Sequence, residues 1–111
     1  MDEKRKPTPD GTIPNPYEGG ERYHCFGCDP DSVVGLRMAF ELRNGVLYST
    51  WHPRSELEGY PGVIHGGIQA TLADEIGGGW VHVVRRTAGM TKSLQIQYDR
   101  PADSEDGPFT V

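Results

Sequence analysis

A chain of 111 residues has room for one domain and one core, and at 35% hydrophobic content that core is modest. The net charge of −5, from 11 basic and 16 acidic side chains, argues against nucleic acid or an anionic membrane surface as a partner, because phosphate binding needs clustered Lys and Arg. No uninterrupted apolar run is long enough to cross a membrane, the first residues lack the apolar stretch of an export signal, and two cysteines cannot build a disulfide framework. Together these features predict a small, soluble, cytoplasmic domain.

Residues 1–22 carry Pro7, Pro9, Pro14 and Pro16 and offer little to bury beyond Ile13 and Tyr17. They predict a Pro-rich arm, either disordered or extended and draped over a partner, with the ordered domain occupying residues 23–111. Leu36, Met38, Phe40 and Leu42 alternate with Arg37, Ala39, Glu41 and Arg43, the period of a half-buried strand. Asn44-Gly45 follows, a strong hairpin signal because both residues tolerate positive φ, and residues 46–51 supply the returning strand before Pro53. A turn-rich stretch, Glu58-Gly59-Tyr60-Pro61-Gly62, leads into a helical pattern.

On a 3.6-residue wheel Ile68, Leu72, Ile76, Trp80 and Val83 share one face. The opposite face carries Asp74 among Ala70, Gly77 and Val81, where a surface helix ordinarily places Lys, Glu or Gln. Small residues there predict a second surface in close contact, and Gly77, Gly78 and Gly79 each cost about 1 kcal/mol relative to Ala that tertiary packing must offset. Arg85 and Arg86 suit the negative end of the helix dipole. Leu94, Ile96 and Tyr98 alternate in a further strand stopped by Pro101, and residues 108–111 begin another. The fold class is therefore α+β: a hairpin, a long helix, a strand and a strand cut short.

The chemistry concentrates where Gly62-Val63-Ile64-His65-Gly66-Gly67 runs into the helix. Two glycines leave amide N–H groups uncovered at a helix N-terminus, whose partial positive charge suits an oxyanion or a polarised carbonyl. Asp74 stands two turns further in. Amide donors that stabilise developing negative charge, with a carboxylate that attacks or activates water, are the parts needed for acyl transfer.

The sequence resembles the hotdog-fold acyl-CoA thioesterases of the 4-hydroxybenzoyl-CoA thioesterase superfamily, in the branch of the phenylacetate-pathway and THEM-like enzymes. The resemblance rests on Cys25-Phe26-Gly27-Cys28, on Gly35-Leu36-Arg37-Met38-Ala39-Phe40, and on the run from Glu58 through Gly66-Gly67-Ile68. Leu72-Ala73-Asp74-Glu75 and Tyr98-Asp99-Arg100-Pro101 complete it. It implies a long central helix wrapped by an antiparallel sheet, apparently truncated at its C-terminal end, and a homodimer or homotetramer with the site between subunits. It further implies Asp74 as nucleophile or general base, Gly66 and Gly67 as amide donors to the thioester carbonyl, Thr91 as a water-positioning hydroxyl, an acyl-CoA substrate, and no required cofactor or metal. Several members carry an Asn six residues before the His of the His-Gly-Gly run, where this chain has Gly59.

Other residues admit two readings. Tyr60, with Trp51 and Trp80, either lines an acyl pocket or fills the core. Arg85, Arg86, Lys92 and Arg100 either contact the phosphates of a CoA nucleotide or serve the helix end and solubility. His65 either acts on substrate or fixes the Gly-Gly turn. Glu75 lies about 100° from Asp74 on the wheel, which assigns it to solvent or a salt bridge. Cys25 and Cys28, with His24 and His52, offer a zinc site or a redox pair, but no second Cys-x-x-Cys pair accompanies them to complete the four ligands of structural zinc, so the cysteines are expected to be structural. The rival functions are an acyl-CoA-binding module without turnover and a zinc-stabilised interaction domain.

Overall fold

The computed structural model describes residue 8 and residues 10–111. The part of the expected arm at residues 1–7 and 9 lies outside the described residues.

Asn44 and Gly45 adopt φ of 52° and 79°, and the hairpin they close pairs β1 (Glu41–Arg43) with β2 (Val46–Tyr48) in the register Glu41 to Tyr48 and Arg43 to Val46. The returning strand then changes partner. Ser49 exchanges backbone hydrogen bonds of 3.0 and 2.8 Å with Val111, and β3 (Thr50–Trp51) pairs antiparallel with β4 (Phe109–Thr110). A single helix turn at Ser55–Leu57 precedes α1 (Gly66–Val84), a helix of 19 residues. The chain is thus α+β, but the wrapped sheet expected from the resemblance is present as two separate two-stranded pieces.

Two predicted strands are reduced for identifiable reasons. Leu36 and Met38 are buried in the predicted alternation, yet Arg37 takes φ 55°, which breaks a ladder, and their amides donate instead to the carbonyls of Phe26 and Gly27 at 2.7 and 2.8 Å. Residues 94–98 form no strand because a strand is defined by a paired neighbour, and residues 88–100 make no backbone hydrogen bond to another described residue. Ordered contacts also begin before residue 23. The Ile13 amide donates to Phe40 and the Leu42 amide to Gly11, both at 2.8 Å, so this part of the arm is extended against its own chain.

The core gathers Leu36, Met38, Trp51, Leu57, Ile64 and Leu72, with the Trp51 indole N–H donating 3.0 Å to the Leu36 carbonyl. Helix α1 buries Leu72 in this core and Val83 further along, and it meets the hairpin at Gly79. A Cβ at position 79 would stand 3.2 Å from the Leu47 side chain and 3.4 Å from the Phe40 ring, so that glycine sets how closely helix and hairpin approach. Trp80, expected on the buried stripe, is 38% exposed, because the stripe passes through Gly79 instead. Added Cβ atoms at Gly77 and Gly78 would meet nothing within 4 Å, which leaves the small-residue face open. Among the described residues no helix is long and apolar enough to cross a membrane.

Candidate active site at the helix N-terminus

The turn before α1 is held from several sides. Gly62 takes φ 81°, its amide donates to the Glu58 carboxylate at 3.2 Å, and the second Glu58 oxygen accepts from Ser104 at 2.6 Å. The Ile64 amide reaches the Ala102 carbonyl and the His65 amide reaches Leu57, at 2.9 and 3.0 Å. The chain therefore enters the helix on a fixed path. His65 is the N-cap, and its Nδ1 accepts the Gly67 amide at 2.9 Å. This satisfies one of the orphan donors that every helix start carries.

That bond corrects the expected pair of donors. The Gly67 N–H is taken by the His65 ring, whereas the Gly66 N–H makes no hydrogen bond to any described residue. Gly66 borders a groove of about 390 Å³ that is also lined by Gly59, Tyr60, Val63, Ile64 and His65, with Tyr60 84% exposed. In this arrangement His65 fixes the turn and Tyr60 lies outside the core.

Asp74 lies part-buried on the open face of α1 and accepts a short hydrogen bond from the Thr91 hydroxyl, so two residues singled out from sequence, 17 positions apart, meet. Lys92 follows Thr91 and is exposed. Arg85 and Arg86 are exposed at the other end of the helix, ~27 Å from Gly66 by its rise per residue. Gly66 and Asp74 are themselves eight residues apart in one helix, which sets them ~12 Å apart along the axis and ~80° apart around it.

Residues 61–111 match the thioesterase superfamily. No curated protein and no solved structure matches the chain. The matched segment contains Gly66, the Asp74–Thr91 pair and the far arginines, while the hairpin and the Cys25–Cys28 turn lie before it.

Two contributors escaped sequence reasoning. Glu58 clamps the turn through its position four residues before Gly62, a spacing visible in the sequence. Tyr98 lays its ring against Gly66 and donates 2.6 Å to the Gly66 carbonyl from 32 residues away, a pairing that period-two alternation alone does not reveal. Glu75 also departs from its expected place in solvent or a salt bridge. It lies under the Cys25–Cys28 turn, with its Oε1 3.5 Å from Cys25 Sγ. Burial, with Cys25 alongside, pushes the Cys28 thiol well above the ordinary thiol range, and burial likewise raises Tyr23, whose hydroxyl stands 2.7 Å from Cys28 Sγ.

Proposed function

We propose that the chain hydrolyses acyl thioesters, with acyl-CoA as the substrate class, at a site shared by two copies. The observation that carries this reading is the unoccupied Gly66 amide at the N-terminus of α1, within the segment that matches the thioesterase superfamily. The amide and the helix dipole polarise the carbonyl oxygen, and Asp74 either attacks the carbonyl carbon or takes a proton from the water that does. Thr91 holds one carboxylate oxygen of Asp74 and leaves the other for the chemistry.

For direct attack by the acid, the spacing along α1 favours a second copy. A reacting acid must come within ~3–3.5 Å of the carbonyl carbon, and that carbonyl is itself in hydrogen-bond reach of Gly66. The ~12 Å between the two residues of one chain exceeds this reach. The open small-residue face around Gly77 offers a second copy close approach, and Met90, Leu94 and Trp80 are exposed apolar side chains nearby in sequence that such a contact would cover. Homodimer and homotetramer both satisfy this requirement. Tyr60 borders the groove that receives the acyl group, and Lys92, Arg85 and Arg86 offer positive charge to the CoA phosphates.

The test is thiol release from a panel of aliphatic and aromatic acyl-CoA substrates. Asp74→Asn is expected to slow every accepted substrate by ~10²–10⁴-fold. Hydrolysis left unchanged in that variant overturns the assignment. Binding of acyl-CoA with no thiol released over hours favours a non-catalytic module.

A further inference from the structure

We propose that Cys25, Cys28 and Glu75 form a binding site for a divalent ion of the zinc type, joining the N-terminal turn to the middle of α1. This proposal rests on no part of the thioesterase reading. Sequence spacing supplied two ligands, and folding brings a third from 50 residues away. The two Sγ atoms are 3.0 Å apart, Cys25 Sγ is 3.5 Å from Glu75 Oε1, and all three donors lie within 4.8 Å of one another. A tetrahedral zinc ion, with bonds of ~2.3 Å to sulfur and ~2.1 Å to oxygen, separates its donors by ~3.6–3.8 Å. Shifts of under about 1 Å therefore convert the cluster into a coordination shell.

Three further features fit a cation. The Cys28 amide donates to Cys25 Sγ at 3.4 Å, a bond that stabilises the first sulfur as thiolate. Gly27 is buried directly against Glu75, and a Cβ there would come within 2.3 Å of its carboxyl carbon, so the turn lies on the carboxylate only because position 27 has no side chain. A carboxylate beside two thiols opposes their ionisation, whereas a divalent ion among the three reverses that sign.

In the metal-free cluster the Cys28 thiol donates to Cys25 and the Cys25 thiol to Glu75. Binding releases both thiol protons to solvent, and two thiolates and one carboxylate then hold the ion. Cys28 and Glu75 also line a cavity of about 400 Å³ between the arm and α1, from which water fills the fourth position. Tyr23 is placed to donate to the Cys28 thiolate. The cysteines and Glu75 are neither the open amide nor the Asp74–Thr91 pair, so the ion is structural and ties residues 25–28 to the helix. His24 and His52, the other ligands considered from sequence, are exposed and outside the cluster.

The experiment titrates the fully reduced, metal-free chain with Co²⁺ and then Zn²⁺. One equivalent of Co²⁺ is expected to give a thiolate-to-cobalt charge-transfer band and the visible bands of a tetrahedral ion, both abolished by one equivalent of Zn²⁺. Glu75→Gln is expected to weaken Zn²⁺ binding by at least ~10-fold with the circular dichroism spectrum retained, and Gly27→Ala to do the same without removing a donor. Absence of the charge-transfer band in the wild-type chain overturns the site. So does a folded Glu75→Gln variant with wild-type Zn²⁺ affinity. If either variant fails to fold, the wild-type titration decides alone.

Discussion

Mixing two inactive variants tests the shared site most directly. Gly66→Pro deletes the amide proton and little else. Proline is favoured at the first helical position, and His65, at φ −55° and ψ 135°, already has the backbone that a residue before proline requires. Removing one preorganised amide donor is expected to lower kcat by ~10²–10³-fold, and Asp74→Asn removes the carboxylate that drives attack. If each site takes its amide from one copy and its acid from the other, a dimer of the two variants has one doubly damaged site and one intact site. At equal mixing half the dimers are hybrid, so about a quarter of wild-type activity returns. The assay is thiol release from an accepted acyl-CoA before and after subunit exchange, with exchange verified by native mass spectrometry of differently tagged chains. Verified hybrids as inactive as their parents would refute the shared site, and with it the use made of the ~12 Å axial separation.

Other perturbations address the fold. Gly77→Ala adds a methyl in open space and should stabilise the isolated chain by about 1 kcal/mol in urea denaturation, while Gly77→Leu should weaken self-association by analytical ultracentrifugation. Gly79→Leu, forced against Leu47 and Phe40, should instead destabilise the chain by ~1–3 kcal/mol in the same urea assay. Trp51→Phe orphans the buried Leu36 carbonyl and shrinks a core ring, for a loss of ~2–4 kcal/mol by denaturant melts; a loss under ~1 would contradict its role. For Cys28 the folded chain favours the neutral thiol, so its contribution is complete below the unfolded thiol value of ~8.5 and is lost as pH rises from there towards the elevated folded value. Stability of the metal-free chain should therefore fall above that pH, and Cys28→Ser should flatten the slope.

The hairpin and the helix were legible because their determinants are local. Asn44-Gly45 carries its own turn geometry, and the Gly-rich entry to α1 needs only the His65 ring, two residues away, to close it. The same locality hid a competitor: the ring that fixes the turn also consumes the Gly67 amide that the sequence offered for catalysis. Leu36 and Met38 showed their burial but not their pairing, since alternation reports which face is apolar and says nothing of the positive φ at Arg37. The wheel separated Glu75 from Asp74 but assigned it to solvent or a salt bridge, because only the fold could place the Cys25–Cys28 turn over it. Residues 94–98 have strand composition, and what they lack within the described chain is a neighbour.

The segment from residue 88 to residue 100 is fastened to the helix by two side-chain clasps, Thr91 on Asp74 and Tyr98 on Gly66. Both clasps grip residues that the proposal assigns to catalysis, so in a pair of copies each strap joins the acid of one proposed site to the glycine of the other. Slackening the strap frees the acid and unpins the glycine together, so the two proposed sites of a pair are mechanically linked through each strap.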